Sequence, residues 1–375
     1  MTATLTRSST RVQPALAAVL TLGLVVRVVL IPITHGQDFA VWDKATSATL
    51  RGINVYAHHP HYPGGPYAYF PLYLDLELPM QWLRHLTGAP FTILGKLPVL
   101  AADVAIALLI HAEVMDRRDD QRLAAGAAAL FFLNPLVLYN GAYYGRFDSL
   151  GCALLLLALR QLRRGSRRAA WSYAAAVAAK TFPGFLLAGV LRAAPRRRAQ
   201  IGIALVVVIG ALSAPYLGTL KPYLADIFWD DTNKAPQGMS WQRLLLHVVD
   251  SDEARLISYL LLALFVMATV WLSAVTDLDR YTVVTLILFL LLSKVVLEQY
   301  LMWPLPWIIV AIAVSTGAVA RWSVAMMIAL TCIGMVANES FHPWGRSPWW
   351  LDVGLAGACA TYFVVMVRDD VRSTQ

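Results

Sequence analysis

A few polar side chains stand at defined points of an otherwise apolar chain, and their types suit chemistry on a phosphate-linked group. In "FFLNPLVLYNGAYYGRFDSLGCALLLLAL", residues 131–159, two apolar runs are interrupted by Asn140, Arg146 and Asp148. An amide and a carboxylate hydrogen-bond hydroxyls, and a guanidinium matches a phosphate. The local alternative is an Arg146–Asp148 ion pair, or Asp148 capping the helix that follows. Lys180, in "AAKTFPGFLL", and Lys294, in "LLSKVVLEQYLMWPLPWII", fall in apolar surroundings. A lysine at bilayer depth costs about 2.5–3.5 kcal/mol on insertion scales, so an anion such as phosphate is a natural partner. Glu298 follows Lys294 at a spacing that also permits an i,i+4 pair on one helix face, with Gln299 and Tyr300 beside it. Arg243 in "SWQRLL" is a further cation candidate, and Arg27, inside the first apolar run, either pairs with a neighbouring span or snorkels. Asp38 comes directly after that run, with Asp43 following; a carboxylate there can serve as general base toward a hydroxyl, or can cap a helix starting at Phe39. His58, His59 and His61 cluster in "AHHPHY", but Pro60 breaks regular ligand spacing, and no metal site is assigned to them. Cys152, Cys332 and Cys359 sit inside apolar runs without metal or disulfide spacing, as packing residues do.

The elements that must position these residues are membrane spans. The chain has 375 residues, 58% of them hydrophobic and 14% charged, with mean hydropathy +0.58, which is too apolar for a soluble domain. A span needs about 20 mostly apolar residues, and such windows recur between short charged or Gly/Pro-rich breaks. Residues 14–33 follow a basic start (Arg7, Arg11) without a small-residue cleavage site and read as a retained signal anchor. The net charge of +8 is concentrated in arginine clusters at 117–122, 163–168, 192–198 and 368–372. Such clusters mark cytoplasmic loops rather than a nucleic-acid surface. With the N-terminus inside, spans are expected at 91–114, 123–143, 150–162, 201–217, 254–275, 281–300, 302–319, 324–340 and 349–367. Residues 169–191, basic at both ends and broken by "KTFPG", suit a hairpin of two short helices with Lys180 near its tip.

This topology gathers two long loops, at about 35–90 and 218–253, on the external face, together with Asp38, Asp43, Asp148, Asp226, Asp230 and Asp231. Residues 41–50 are expected to form a short helix, and the aromatic later part of the first loop is amphipathic enough to lie along the interface and roof a pocket. Its tyrosines, with Trp241, Trp349 and Trp350, fit an interfacial belt in which a few rings stack on substrate.

The segments "DFAVWDKATSATLRGINVY", "LGKLPVLAADVAIALLI", "FFLNPLVLYNGAYYGRFDSL", "AAKTFPGFLL" and "LLSKVVLEQYLMWPLPWII" occur in an order that resembles the membrane glycosyltransferases of the GT-C superfamily. The likeness is strongest to the GPI mannosyltransferase I type, with bacterial polyprenyl-phosphate mannosyltransferases as near neighbours. It implies an all-α polytopic fold of about eleven to thirteen transmembrane helices, one membrane-embedded domain over residues 1–375, and an active site on the non-cytoplasmic face. It also implies that one sugar, mannose on the resemblance, moves from a polyprenyl-phosphate donor to a lipid-linked acceptor. The membrane is the bacterial inner membrane, or the endoplasmic reticulum in a eukaryote. The GPI enzymes carry a paired Asp-x-Asp after the first span, whereas the corresponding place here reads Gly36, Gln37, Asp38. Only the second acid is kept, so no metal is assigned, a divalent ion staying open as the alternative. On this reading Asp38 is the catalytic base, and Asp43, Asn140, Arg146, Asp148, Lys180, Arg243, Lys294, Gln299 and Tyr300 bind substrate. A polyprenyl phosphate is already a good leaving group, so a base and phosphate-holding cations are the main requirements. The rivals are a lipid-sugar flippase or transporter, and the same enzyme class with an arabinose or glucose donor. A transporter would show paired repeats and midplane site residues, which this sequence lacks.

Overall fold

The apolar runs form helices whose ends are set by local capping chemistry. The computed structural model describes residues 14–33, 36–57, 67–229, 235–340 and 348–373. Among the described residues the architecture is all-α apart from one two-residue strand pair. The first helices are α1 (Pro14–Leu30), α2 (Gln37–Leu50), α3 (Pro71–Thr87) and α4 (Leu97–Arg118). Gly88 stops α3 in the left-handed conformation, φ 71°, with its amide bonded to the Arg84 carbonyl. Asp120 starts α5 (Gln121–Phe132) by accepting from the Arg122 and Leu123 amides. Asn134 then caps a fresh turn at Pro135, and because proline cannot extend the preceding helix, the run bends by 49°. The turn continues into a π-helix at Tyr139–Tyr143 before α6 (Asp148–Arg163) begins.

Residues 169–191 form two short helices as expected, α7 (Arg168–Ala179) and α8 (Leu187–Ala193), separated by an extended Lys180 and a 3-10 turn at Phe182–Leu186. The helix α9 (Arg198–Ser213) does not give way to a loop at residue 218; short helical turns continue through Ala225–Trp229. Pro215 lies in the first turn of a new 3-10 segment, where a missing N–H costs little, so it does not stop the run. Later come α10 (Ser251–Val275) and α11 (Leu278–Leu292), capped by Asp250 and Asp277. The expected span 281–300 ends early. Beyond Ser293, β1 (Gln237–Gly238) pairs in parallel with β2 (Val295–Val296), and Glu298–Met302 makes a 3-10 turn. The helices α12 (Leu305–Val314), α13 (Gly317–Ser340) and α14 (Trp349–Ser373) complete the fold.

Among the described residues, five helical runs are long and apolar enough to cross a membrane: Phe91–Arg118, Pro195–Phe228, Ser251–Val275, Gly317–Ala337 and Trp349–Arg368. The bent run through Gln121–Phe132 and Pro135–Tyr143 is a sixth, and Pro14–Leu30, Phe182–Ala193 and Glu298–Val314 are shorter apolar helices. The all-α polytopic fold is therefore present, with several apolar runs broken near one end of the bundle. The helix α11 is buried nearly all round, as a uniformly apolar helix should be, whereas α9 and α10 expose Val206, Leu260, Met267 and Val270 as an acyl chain would require.

At the arginine-rich end, Glu113 is 3% exposed and accepts Arg117, Arg160 and Arg163 at 3.0, 3.1 and 2.6 Å. Asp279 joins Arg117 and Arg163 at 2.8 and 2.6 Å, tying α4, α6 and α11 together around a cavity of about 170 Å³ that Trp307 and Val310 also line. The breaks at residues 133–147, 180–186 and 293–302 belong to the other end, one helix length away. From Asp148 to Arg163 the rise is about 22 Å.

Candidate active site

Helix breaks free backbone groups and let side chains from different elements converge. The π-helix at Tyr139–Tyr143 carries Asn140, and Gly145, at φ 77°, turns the chain so that Arg146 lies against it. The Arg146 amide donates to the Asn140 carbonyl at 2.8 Å, and its guanidinium donates to Asn140 Oδ1 at 3.1 Å. The same guanidinium meets Glu298 at 2.5 Å and Asp38 at 3.8 Å, with the Tyr144 ring 5.0 Å away. One arginine thus gathers carboxylates from α2 and from the 298–302 turn. Burial disfavours its charge, yet Glu298 first and Asp38 second hold its pKa above the ordinary value. Asp38 is 46% exposed and lies in the first turn of α2. That helix starts at Gln37 with Gly36 at the N-cap and no capping side chain, so Asp38 does not cap a helix beginning at Phe39.

Asp148 turns away from Arg146 as a direct partner. It pairs with Lys180 at 3.1 Å and accepts the Trp303 indole N–H at 2.6 Å. Both carboxylate and ammonium are nearly inaccessible, at 2% and 6% exposure. Lys180 also lies over the rings of Phe147 and Tyr69, 4.5 and 4.8 Å from their centroids. Trp303 stacks on Phe182 and meets Tyr300 at 4.2 Å, so the expected residues Lys180, Asp148 and Tyr300 share one aromatic-walled region. Gln299, 4% exposed, lies between Glu298 and Tyr300 on the same turn, with Oε1 buried and without a hydrogen-bond partner.

Other expected residues are drawn elsewhere. Asp43 accepts from Gln81 and Arg84, at 2.5 and 2.8 Å, which ties α2 to α3. Arg243 donates to the Gly238 carbonyl and pairs with the fully buried Asp352 at 3.2 Å. Lys294 is not on one helix face with Glu298, because β2 intervenes; its ammonium lies 5.6 Å from the Tyr259 ring. Glu298 is taken by Arg146 instead. His58, His59, His61, Asp230 and Asp231 lie outside the described residues. Among the described residues no group of three or more His, Cys, Asp or Glu side chains gathers to hold a metal ion.

Several supporting residues are not read from sequence as part of the site. Lys96, fully buried, donates to the carbonyls of Ile31, Ala142 and Tyr143 at 2.8, 2.9 and 2.8 Å. Arg27 pairs with the buried Asp103 at 2.9 Å and donates to the Phe132 carbonyl at 2.6 Å, while Asp103 accepts from Ser149, the neighbour of Asp148. The Arg27 alternatives therefore resolve to a pair with a neighbouring span. Glu298 and Trp303 complete the two charge clusters. Their signal was a run of mixed polar and aromatic residues inside "LEQYLMW", which apolar periodicity alone does not explain.

The family model for Glycosyltransferase family 87 matches residues 67–297, more than half of the chain. A polytopic helical protein with buried acid–cation pairs where its helices break is, on that match, a membrane glycosyltransferase. The chain belongs to Glycosyltransferase family 87. The matched segment contains Asn140, Arg146, Asp148 and Lys180, while Asp38 precedes it and Glu298 follows it. No curated protein matches the chain.

Proposed function

We propose that this protein moves one sugar, mannose by resemblance, from a polyprenyl-phosphate donor to the hydroxyl of a lipid-linked acceptor. Asp38 takes the acceptor proton as the acceptor oxygen bonds to the anomeric carbon. The bond from that carbon to the phosphate oxygen breaks, and the polyprenyl phosphate leaves with the electron pair. Arg146 and Lys180, with Lys294 as a further cation, oppose the charge that develops on the phosphate. Asn140 and Asp148 serve the sugar hydroxyls, with Gln299 and Tyr300 at the same wall. The observation that carries this reading is the Arg146 guanidinium, which reaches Asp38 at 3.8 Å and Asn140 at 3.1 Å, so that base, phosphate cation and sugar-binding amide share one point.

The arrangement favours the face away from the cytoplasm. Basic clusters mark the cytoplasmic side, and Arg163 stands at the opposite end of α6 from Asp148. The whole chain acts as one membrane-embedded unit. The test is transfer by purified protein in liposomes, with synthetic polyprenyl-phosphate mannose carrying a labelled sugar, and membrane glycolipids as acceptor. The wild type yields a labelled glycolipid, and Asp38→Asn lowers kcat by about a hundredfold or more while still binding donor. Near wild-type turnover of Asp38→Asn overturns the assignment of the base. Transfer from the arabinose or glucose donor in place of mannose keeps the chemistry and changes the sugar.

A further inference from the structure

We infer that Lys96 is a positioning residue that fixes where Asp38 stands relative to Asn140 and Arg146; this rests on the reading of those three as the catalytic centre. A lysine without any exposed surface is costly unless its charge is met by well-placed acceptors. Three acceptors of its ammonium are backbone carbonyls on two separate segments. Ile31 lies just past the end of α1, on the stretch that leads into α2 and Asp38. Ala142 and Tyr143 lie in the π-helix that carries Asn140 and leads to Arg146. Carbonyls at a helix end carry partial negative charge and lack intrahelical donors, so an ammonium suits them better than a neutral group.

The joint has two further parts. The Gly36 amide donates to the Tyr144 carbonyl at 3.0 Å, a direct strut between the same two segments. Gly145 sits at φ 77°, and a Cβ there would come within 2.6 Å of the Phe39 ring and 3.1 Å of Lys96 Cγ. The segment carrying Asp38, the segment carrying Arg146 and the Lys96 side chain therefore meet without room for an added carbon. The 3.8 Å separation of Arg146 and Asp38 is a consequence of this joint, since Asp38 makes no side-chain capping bond to hold it by itself.

The experiment compares Lys96→Met, Lys96→Arg and the double variant Lys96→Met with Arg146→Gln in liposomes, using synthetic polyprenyl-phosphate mannose. Donor KM, kcat and thermal unfolding are read together. Lys96→Met should lower kcat about tenfold to a hundredfold while donor KM stays within about threefold, because misplacement by about 1 Å costs rate more than binding. Lys96→Arg should recover little of the rate, since a planar fork does not reproduce the ammonium's three directions. In the Arg146→Gln background the added Lys96→Met change should cost less than about twofold, as expected of residues acting through one another. Unchanged kcat in Lys96→Met, or a rate loss that multiplies in full with Arg146→Gln, overturns the inference. A rate loss that only follows loss of folded protein does so as well. If Lys96→Met fails to accumulate, Gly145→Ala replaces it, crowding the same joint from the other side, with the same kcat criterion. Full activity of Asp38→Asn removes both the catalytic reading and the inference, whereas an inactive Asp38→Asn beside a fully active Lys96→Met removes the inference alone.

Discussion

Replacing Lys180 by methionine, alone and together with Asp148→Asn, separates structural from substrate roles in the second charge cluster. The pair is 3.1 Å apart and almost wholly buried. At an effective dielectric of about 20, two charges at that distance attract by about 5 kcal/mol, which agrees with the roughly 3–5 kcal/mol measured when one partner of a buried pair is removed. Lys180→Met leaves Asp148 with the Trp303 N–H as its remaining direct partner from the pair's surroundings, so the variant should lose about 3–5 kcal/mol of stability. Asp148→Asn in the same chain removes the stranded charge and keeps an acceptor for Trp303, so the double variant should regain most of that loss. Donor use follows a different course. A charged hydrogen bond to phosphate is worth about 1.5–3 kcal/mol, so donor KM should rise by roughly tenfold to more than a hundredfold in both variants. The assays are denaturant or thermal unfolding in detergent and donor KM in liposomes. A double variant as unstable as Lys180→Met refutes the ion-pair reasoning, and a double variant with wild-type donor KM refutes a role for Lys180 toward phosphate.

Burial, opposed by the Tyr73 hydroxyl and reinforced by Asp43, raises the Glu77 carboxyl in α3 from 4.5 to about 8, with Tyr67 also close. Folded Glu77 therefore holds a proton that the unfolded chain releases between those values, and stability should fall by up to about 1.4 kcal/mol per pH unit as pH rises through that window; Glu77→Gln should flatten the unfolding profile, and an unchanged slope refutes the assignment. Gly238→Ala should cost about 1–3 kcal/mol and lower kcat through the 294–300 segment, because its φ of 69° is left-handed and the added carbon falls on the Val296 carbonyl; wild-type stability and rate in this variant refute the need for the β1–β2 pair. For topology, Val248→Cys, at an 80% exposed position, should react with an impermeant thiol reagent on intact cells while Ser166→Cys does not, and the reverse pattern inverts the orientation.

The helix break at "KTFPG" was legible, as its proline and glycine require, whereas the caps were not. Asp120, Asp250 and Asp277 start helices a few residues before the expected spans, and Asp38 and Asp148, the aspartates read as caps, lie in the first turns of their helices behind Gly36 and Phe147. Two largely buried cations of the candidate site stood out too, because Arg146 and Lys180 are anomalous in apolar surroundings. Their partners did not. Sequence spacing pairs Arg146 with Asp148 and Lys294 with Glu298, but the left-handed Gly145 sends Arg146 toward Asn140, and β2 removes the helical register that an i,i+4 pair needs. Asp43 and Arg243 have the right chemistry and are claimed by tertiary partners, Gln81 and Arg84 for the first and Asp352 for the second. Lys96 went unread for a different reason. Three of its acceptors are main-chain carbonyls exposed by irregular turns, and no side-chain pattern records them.

The arginine-rich end has a genetic consequence. Arg117, Arg160 and Arg163 each hold a second acid besides Glu113, namely Asp279 for the first and third and Asp116 for the second. Loss of any one arginine leaves Glu113 with two partners, so drift at these three positions is buffered. Glu113 is the buried member of the set, and the second acids are 34–42% exposed and screened by water. A change at Glu113 therefore weakens the hold on three guanidiniums at once, leaving each with a water-screened acid alone. The cluster should tolerate loss of any one arginine better than loss of its buried glutamate.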